Sequence, residues 1–165
     1  MEKRKCVFAG TFDPPTLGHK SMIKTCAALF DEVVVAVMCN PDKAPCFTVE
    51  QRKEMLRLDV GDLPSVRVVD FSGTVAELLE KENTKIYVRG IRNGVDLDYE
   101  NANFYASRKL DQDITAVYIP CPQELLHVSS SLVRNSLKFG TPIDEYVSEE
   151  VKVYIREVGR LSTKE

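Results

Sequence analysis

The sequence predicts an α/β protein: a single Rossmann-like domain over residues 1–165, built on an open five-stranded parallel sheet with helices on both faces. Short β-branched runs alternate with helical periodicity from end to end. The run Glu32–Met38 is so uniformly apolar that both of its faces must be covered, as in a parallel sheet. The length of 165 residues suits one domain, which ends in a helical C-terminal tail.

The first half of the chain is predicted to form a strand–helix–strand unit. Residues 5–9 and Glu32–Met38 are the strands. Between them, apolar side chains recur at helical spacing at Met22, Ile23, Cys26, Ala27 and Phe30. This order predicts a right-handed βαβ unit. The sequence TVEQ at 48–51 is a capping box, so another helix begins there and runs toward Leu58.

The second half continues the alternation. Three further strands are predicted at 66–70, 86–89 and 116–119. Val75, Leu78 and Leu79 line a helix after the first of these strands, and a longer helix runs from about 97 to 110.

The tail is predicted to be helical at 132–137 and again after a Ser148 cap. Apolar residues of the last helix are spaced at i, i+3, i+4 and i+7, at Val151, Tyr154, Ile155 and Val158. Tyr146, Val151 and Tyr154 either cap the sheet or form a subunit contact.

Composition excludes several classes of protein. Lys and Arg total 22 against 25 Asp and Glu, a net charge of −3, so we expect no nucleic-acid partner. The five cysteines contain no C-x-x-C pair, which fits free thiols of a reducing cytoplasm better than disulfides or a zinc knuckle. No apolar stretch is long enough for a membrane span, and the first apolar run ends at Gly10, too early for a signal peptide. We therefore expect a cytoplasmic protein.

The loop after the first strand carries the motif GTFDPPTLGH at 10–19. It matches neither the P-loop nor the dinucleotide-binding fingerprint. Gly10 would let a ligand approach the backbone, and two prolines stiffen the loop. His19 lies in the first helical turn, where backbone N–H groups and the helix dipole favour an anion. Taken alone, a histidine at a helix start is more often a solvated or capping side chain.

This motif is similar to the G-x-F-D-P-x-[T/H]-x-G-H signature of the nucleotidyltransferase superfamily, whose [T/H]-x-G-H element binds ATP or CTP phosphates. With Thr16 in the variable position, the chain resembles the bacterial pantetheine-phosphate adenylyltransferase family over nearly its whole length. The resemblance implies transfer of AMP from ATP to 4′-phosphopantetheine, giving dephospho-CoA and pyrophosphate in coenzyme A biosynthesis.

The resemblance assigns the acceptor phosphate to Lys43 and Arg89, with Thr11 as a hydroxyl donor and Val75 in the pantetheine pocket. Lys43 lies in the rigid loop 39–47 and Arg89 ends a predicted strand. From the residues alone, Lys43 could be an exposed lysine that serves solubility. Either arginine of the sequence RGIR at 89–92 could pair with a nearby aspartate, Asp96 or Asp98.

The ATP site is also assigned by resemblance, and SSSLVR at 129–134 resembles the second superfamily signature. Predicted ATP-binding residues are Thr11, Phe12, His19, Gly90, Ile91, Arg92, Glu100, Leu125, Leu126, His127, Val128, Ser129, Ser130 and Ser131. Leu125 replaces an aromatic residue and His127 an apolar one that are usual in the family. Glu100 could equally be a solvated helix charge.

The chemistry needs no general base, because a phosphate monoester is largely ionised at neutral pH. His19 would donate a hydrogen bond to the α-phosphoryl group, while Arg92 and the serines 129–131 would hold pyrophosphate. Mg²⁺ would be held mainly by ATP phosphates and water, without a dedicated protein site. The resemblance further implies a homohexamer and feedback by coenzyme A.

Two alternatives remain at this stage. One is a related nucleotidyltransferase with another phosphorylated acceptor, such as nicotinate mononucleotide, for which His would be expected in place of Thr16. The other is a non-catalytic nucleotide-binding module on the same fold, which would leave Lys43 and Arg89 without a role.

Overall fold

The computed structural model describes residues 3–162, which form a five-stranded sheet in which all neighbouring strands are parallel. The strands are β1 (Lys5–Gly10), β2 (Glu32–Met38), β3 (Val66–Phe71), β4 (Ile86–Ile91) and β5 (Thr115–Pro120). Their order is β3-β2-β1-β4-β5, so the winding direction reverses between β1 and β4. Ligands of such sheets bind at the carboxyl ends of the strands beside this reversal. The predicted fold class is confirmed.

Six α-helices connect and follow the strands: α1 (Leu17–Leu29), α2 (Val49–Val60), α3 (Val75–Lys81), α4 (Gly94–Leu110), α5 (Ser130–Phe139) and α6 (Glu149–Ser162). The helix α4 begins earlier than the apolar spacing predicts, because the Asn93 side chain caps it by accepting a bond from the Asp96 amide. A short 3₁₀ turn, Gln123–Leu125, was not predicted. Within residues 3–162, no helix is both long and apolar enough to cross a bilayer.

Successive side chains of β1 point to opposite faces of the sheet, and helices cover both of these faces. Cys6 and Phe8 pack into one hydrophobic cluster with residues of α1 and α2. Val7 and Ala9 point the other way, into a cluster with residues of α3 and α4. All four side chains are almost completely buried, as expected for the central strand of a doubly wound sheet.

The helical tail packs onto the domain and forms a third hydrophobic cluster. Val151 and Ile155 of α6 are buried there with Met55 of α2 and Phe47, which ends the loop 39–47. Tyr146 and Tyr154 pack against the same cluster. These contacts favour the interpretation that the tail caps the domain.

Ion pairs connect residues near the amino ends of the strands, at the end of the sheet opposite the carboxyl ends. The Lys5 ammonium lies 3.3 Å from Glu32 and 3.1 Å from Glu82. The Arg67 guanidinium lies 3.2 Å from Glu32 and 2.5 Å from Glu82. Chiefly through the bond from Arg67, this network lowers the pKa of the buried Glu82 carboxyl below its ordinary value.

We predict that Glu82→Gln lowers the free energy of unfolding at pH 7 by about 1–3 kcal/mol, because two cations lose their most buried partner. Since the folded pKa of Glu82 lies below its unfolded value, its contribution is present above pH about 4.5 and is lost as pH falls through the folded pKa. Urea titrations from pH 7 to 3 measure both effects. Glu80→Gln, an exposed change on the same helix, is the matched control, and equal loss in both variants would contradict the prediction.

Candidate active site

A cavity of about 360 Å³ opens at the carboxyl ends of β1 and β4, where the sheet reverses its winding. We call it the first cavity. Its lining includes Thr16, Gly18, His19, Met22, Arg89, Gly90, Arg92, Glu100, Cys121, Val128, Ser129, Ser130 and Ser131. Nine of the predicted site residues therefore meet in one place: His19, Arg89, Gly90, Arg92, Glu100, Val128 and the three serines.

His19 is held by the turn that begins α1. The Thr16 amide donates to the His19 Nδ1 at 3.0 Å, and the Phe12 ring contacts the imidazole edge-on, with ring centres 4.9 Å apart. Because Nδ1 accepts a hydrogen bond, the neutral ring carries its proton on Nε2. Burial, and after it the positive charges of Arg89 and Arg92, lower the pKa of His19 to about 4. At neutral pH His19 is an uncharged hydrogen-bond donor.

The Phe12 ring packs between His19 and Gly10 and accounts for the glycine at position 10. Phe12 is buried and adopts a positive φ of 51°. A Cβ on Gly10 would lie 3.1 Å from its ring, so packing against Phe12 requires the glycine. Gly10 also lines the second cavity, and the approach of a ligand to its backbone stays a prediction. The Phe12 ring fills space beneath His19, and it is not among the groups that line the first cavity.

Arg89 is fixed by two contacts of its guanidinium. Nη1 donates to the Ala9 carbonyl at 2.5 Å, and Nη2 donates to the Glu100 carboxylate at 2.6 Å. Its Nε is buried and has no partner in the part of the chain that the structure describes. A buried donor left unpaired is costly, so this nitrogen is an unsatisfied group of the site. Glu100 is thus the partner of Arg89, whereas Arg92 pairs with Asp96 at 3.1 Å.

The three serines at the start of α5, predicted to hold pyrophosphate, each form a hydrogen bond within the protein. Ser129 caps the helix with its side chain. Ser130 donates its hydroxyl to the Pro14 carbonyl at 2.7 Å, and the Ser131 hydroxyl accepts a bond from Arg134 at 3.1 Å. Of these three hydroxyls, that of Ser130 ties α5 to the loop 10–18, whereas the other two bond within α5. The amides of Ser130 and Ser131 at the start of α5 remain suited to an anion.

A second cavity adjoins the first, and a third adjoins the second. The second cavity, of about 420 Å³, includes Thr11, Val75, Arg89 and Glu100 in its lining, and the third, of about 600 Å³, includes Thr11 and Lys43. Arg89 therefore faces both the first and the second cavity. Lys43 and Arg89 do not line a common cavity. Thr11, also predicted at the acceptor site, lines both the second cavity with Arg89 and the third cavity with Lys43.

Six predicted ATP-binding residues lie outside the lining of the first cavity. Thr11 lines the second and third cavities, and Phe12 packs against His19. Ile91 ends β4, and Leu125, Leu126 and His127 lie in or just after the 3₁₀ turn. The His127 ring faces Tyr146 edge-on, with centres 6.1 Å apart. Gly90 does line the cavity, but a Cβ there would meet Met22 at 3.2 Å, so close side-chain packing already requires the glycine. Binding of ATP by these residues stays a prediction.

Other lining residues were not predicted. Tyr99 lines the first and second cavities, and Asn103 and Ser107 follow it along the second. These three residues are spaced four apart on one predicted helix, so the sequence could have shown that they share a face of that helix. Tyr87 on β4 also lines the second cavity, and burial raises its pKa to about 12.

Comparisons with known proteins agree with this geometry. Residues 7–136 match a family model described as cytidylyltransferase-like. The chain is 41% identical over 143 residues to a phosphopantetheine adenylyltransferase of Symbiobacterium thermophilum, covering 87% of this chain and 88% of that protein. It is 36% identical over 151 residues to a protein of the same name from Clostridium kluyveri, covering 92% of each chain.

A solved structure shows the same fold at greater distance. The protein, from Vibrio parahaemolyticus and provisionally described as a nicotinate-nucleotide adenylyltransferase, superposes with a TM-score of 0.73 at 24% identity, covering 94% of this chain and 93% of that one. By its matched residues and its relatives, the chain belongs to the cytidylyltransferase-like family and, within it, to the phosphopantetheine adenylyltransferases.

Proposed function

We propose that this protein transfers AMP from ATP to 4′-phosphopantetheine, forming dephospho-CoA and pyrophosphate in coenzyme A biosynthesis. The observation that carries the proposal is the position of Arg89, which lines both the first and the second cavity and leaves a buried Nε without an acceptor. An anion at this point would stand between two adjoining sites. The relatives named phosphopantetheine adenylyltransferase, at 34–41% identity, support this pair of substrates.

In the proposed mechanism, ATP occupies the first cavity and the acceptor occupies the second. An oxygen of the acceptor phosphate attacks the α-phosphorus of ATP, and the bond from that phosphorus to the oxygen bridging toward the β-phosphate breaks. The acceptor phosphate is already largely ionised, because its second pKa is about 6. The protein therefore positions two polyanions and stabilises charge, without abstracting a proton.

His19, Arg92 and α5 have separate tasks in this scheme. The Nε2–H of neutral His19 donates to an α-phosphoryl oxygen as its charge rises in the transition state. The first-turn amides of α5 and the Arg92 guanidinium bind the leaving pyrophosphate. Arg89, which lines both cavities, aligns the attacking phosphate by its positive charge.

Mg²⁺ belongs to the proposal as an ion held mainly by the substrate. The described residues contain no group of three or more His, Cys, Asp or Glu side chains placed to bind a metal, so ATP phosphates and water would supply most ligands. When bound, the ion would neutralise phosphate charge.

From the family resemblance we also propose that the protein forms a homohexamer in the cytoplasm. Coenzyme A would inhibit it by feedback. Support comes from large apolar side chains that α4 leaves exposed, at Val95, Tyr99, Tyr105 and Leu110. Sedimentation equilibrium would measure the number of chains, and a monomer at micromolar concentration would overturn the hexamer.

The test of the activity is pyrophosphate release by the purified protein with ATP or CTP and a set of acceptors. We expect turnover with ATP and 4′-phosphopantetheine, and at most traces with nicotinate mononucleotide, with pantetheine or without acceptor. Preference for nicotinate mononucleotide would replace the proposed acceptor. ATP binding without pyrophosphate release from any acceptor would favour a nucleotide-binding module.

We predict that His19→Ala lowers kcat by about 100- to 1000-fold, because it removes a hydrogen bond that strengthens in the transition state. The KM for each substrate should change far less. Lys24→Ala, an exposed change on the same helix, is the control and should retain wild-type turnover. A kcat of His19→Ala within threefold of wild type would remove His19 from the mechanism.

The free protein should keep His19 neutral throughout the physiological range. Because burial and the neighbouring arginines lower its pKa to about 4, its protonated form should become dominant only below that pH. The chain has 2 histidines, so NMR of the imidazole nitrogens resolves each, and His127→Asn assigns them. A His19 midpoint near the ordinary value of about 6.5 would show that the ring is solvated.

A further inference from the structure

The third cavity differs from the other two in its charge. Two cationic side chains, Lys43 and Arg52, line it, and none of the described side chains in its lining is a carboxylate. The remaining lining residues are Thr11, Met38, Cys39, Asn40, Pro41, Pro45, Ser72 and Gly73. In contrast, Asp96 and Glu100 offset the arginines of the first cavity. The third cavity therefore has the charge of an anion site.

Arg52 is the unusual member of this cavity, because its guanidinium is buried without a counter-ion. The residue is 3% exposed. Its Nε donates to the Phe47 carbonyl at 3.1 Å, and its Nη1 donates to the Thr11 carbonyl at 2.9 Å. No carboxylate within residues 3–162 forms an ion pair with it, and its Nη2 has no acceptor there. Buried charges in proteins are normally paired, so this one requires an explanation.

The same contacts fix Arg52 beside the predicted acceptor residues. One bond holds Thr11, and the other holds the end of the loop 39–47 that carries Lys43. The Asp13 carboxylate fastens the same two segments by accepting bonds from the Cys46 and Phe47 amides, at 2.8 and 2.9 Å. The guanidinium therefore cannot turn away to solvent, and its charge acts on whatever occupies the cavity next to Thr11.

We propose that Arg52 binds the phosphate of the acceptor substrate together with Lys43, at the point where the second and third cavities meet beside Thr11. This inference rests on the proposed function for the identity of the acceptor. Its chemistry is that of a buried guanidinium with an unused N–H group, which prefers a phosphate oxygen to any neutral acceptor. An acceptor without phosphate would leave this charge unpaired, so Arg52 would also select for the phosphorylated form.

Calorimetry with paired ligands tests the inference. The affinities of 4′-phosphopantetheine and of pantetheine are measured for the wild type, Arg52→Gln, Arg52→Lys and the control Arg57→Met, which removes a charge from an exposed site on the same helix. In the wild type the phosphate should strengthen binding. In Arg52→Gln that advantage should fall by about 10- to 100-fold, the usual cost of one charge-assisted bond, while Arg52→Lys should recover part of it. Arg57→Met should match the wild type.

Steady-state kinetics separate binding from structural damage. In Arg52→Gln, KM for 4′-phosphopantetheine should rise by about 10- to 100-fold, whereas KM for ATP should stay within about threefold of wild type. Equal weakening of pantetheine, 4′-phosphopantetheine and ATP would mean that Arg52 only supports the fold, and the inference would be wrong.

A crystal structure of the wild type with 4′-phosphopantetheine decides the matter even if the variants do not fold. We expect a phosphate oxygen within about 3.2 Å of an Arg52 guanidinium nitrogen. A phosphate bound elsewhere, with Arg52 still contacting only carbonyls, overturns the inference. This failure is distinct from that of the proposed function, which would show as absence of pyrophosphate release by the wild type.

Discussion

The fixed position of the Arg89 guanidinium is the constraint on which the site depends. One nitrogen is bound to the backbone of β1 and another to Glu100 of α4, so the strand, the helix and the arginine form one rigid unit. The pairing offsets the cost of burying the charge and holds the side chain in the lining of both the first and the second cavity. The reversal of winding beside β1 is what brings these elements together.

The loop 10–18 is rigid because its carbonyls are bound from outside. Arg52 of α2 holds Thr11, Arg134 of α5 holds Asp13 at 2.8 Å, and Ser130 of α5 holds Pro14. Loops usually leave such groups to water, which permits motion. Here the helices that surround the site also fix the loop that carries its chemistry, as catalysis by positioning requires.

Much of this organisation could be predicted from the sequence. The run Glu32–Met38 identified a doubly covered strand, because only a buried strand tolerates continuous apolar residues. The TVEQ capping box located the start of α2. Pairing of Arg89 with Glu100 could not be predicted, because it depends on the orientation of a helix 11 residues away. The packing of the Phe12 ring against Gly10 also could not be predicted, because it depends on how the loop folds back on itself.

The third hydrophobic cluster joins the helix α6 to the loop 39–47, which carries the predicted acceptor-binding residue Lys43. Phe47, which closes the loop that bears Lys43, is buried against Val151 and Ile155 of the final helix. That helix contacts none of the three cavities, yet the loop is seated on it. A substitution in the apolar face of this helix would therefore be felt at Lys43 through the shared packing, without any direct contact to a cavity.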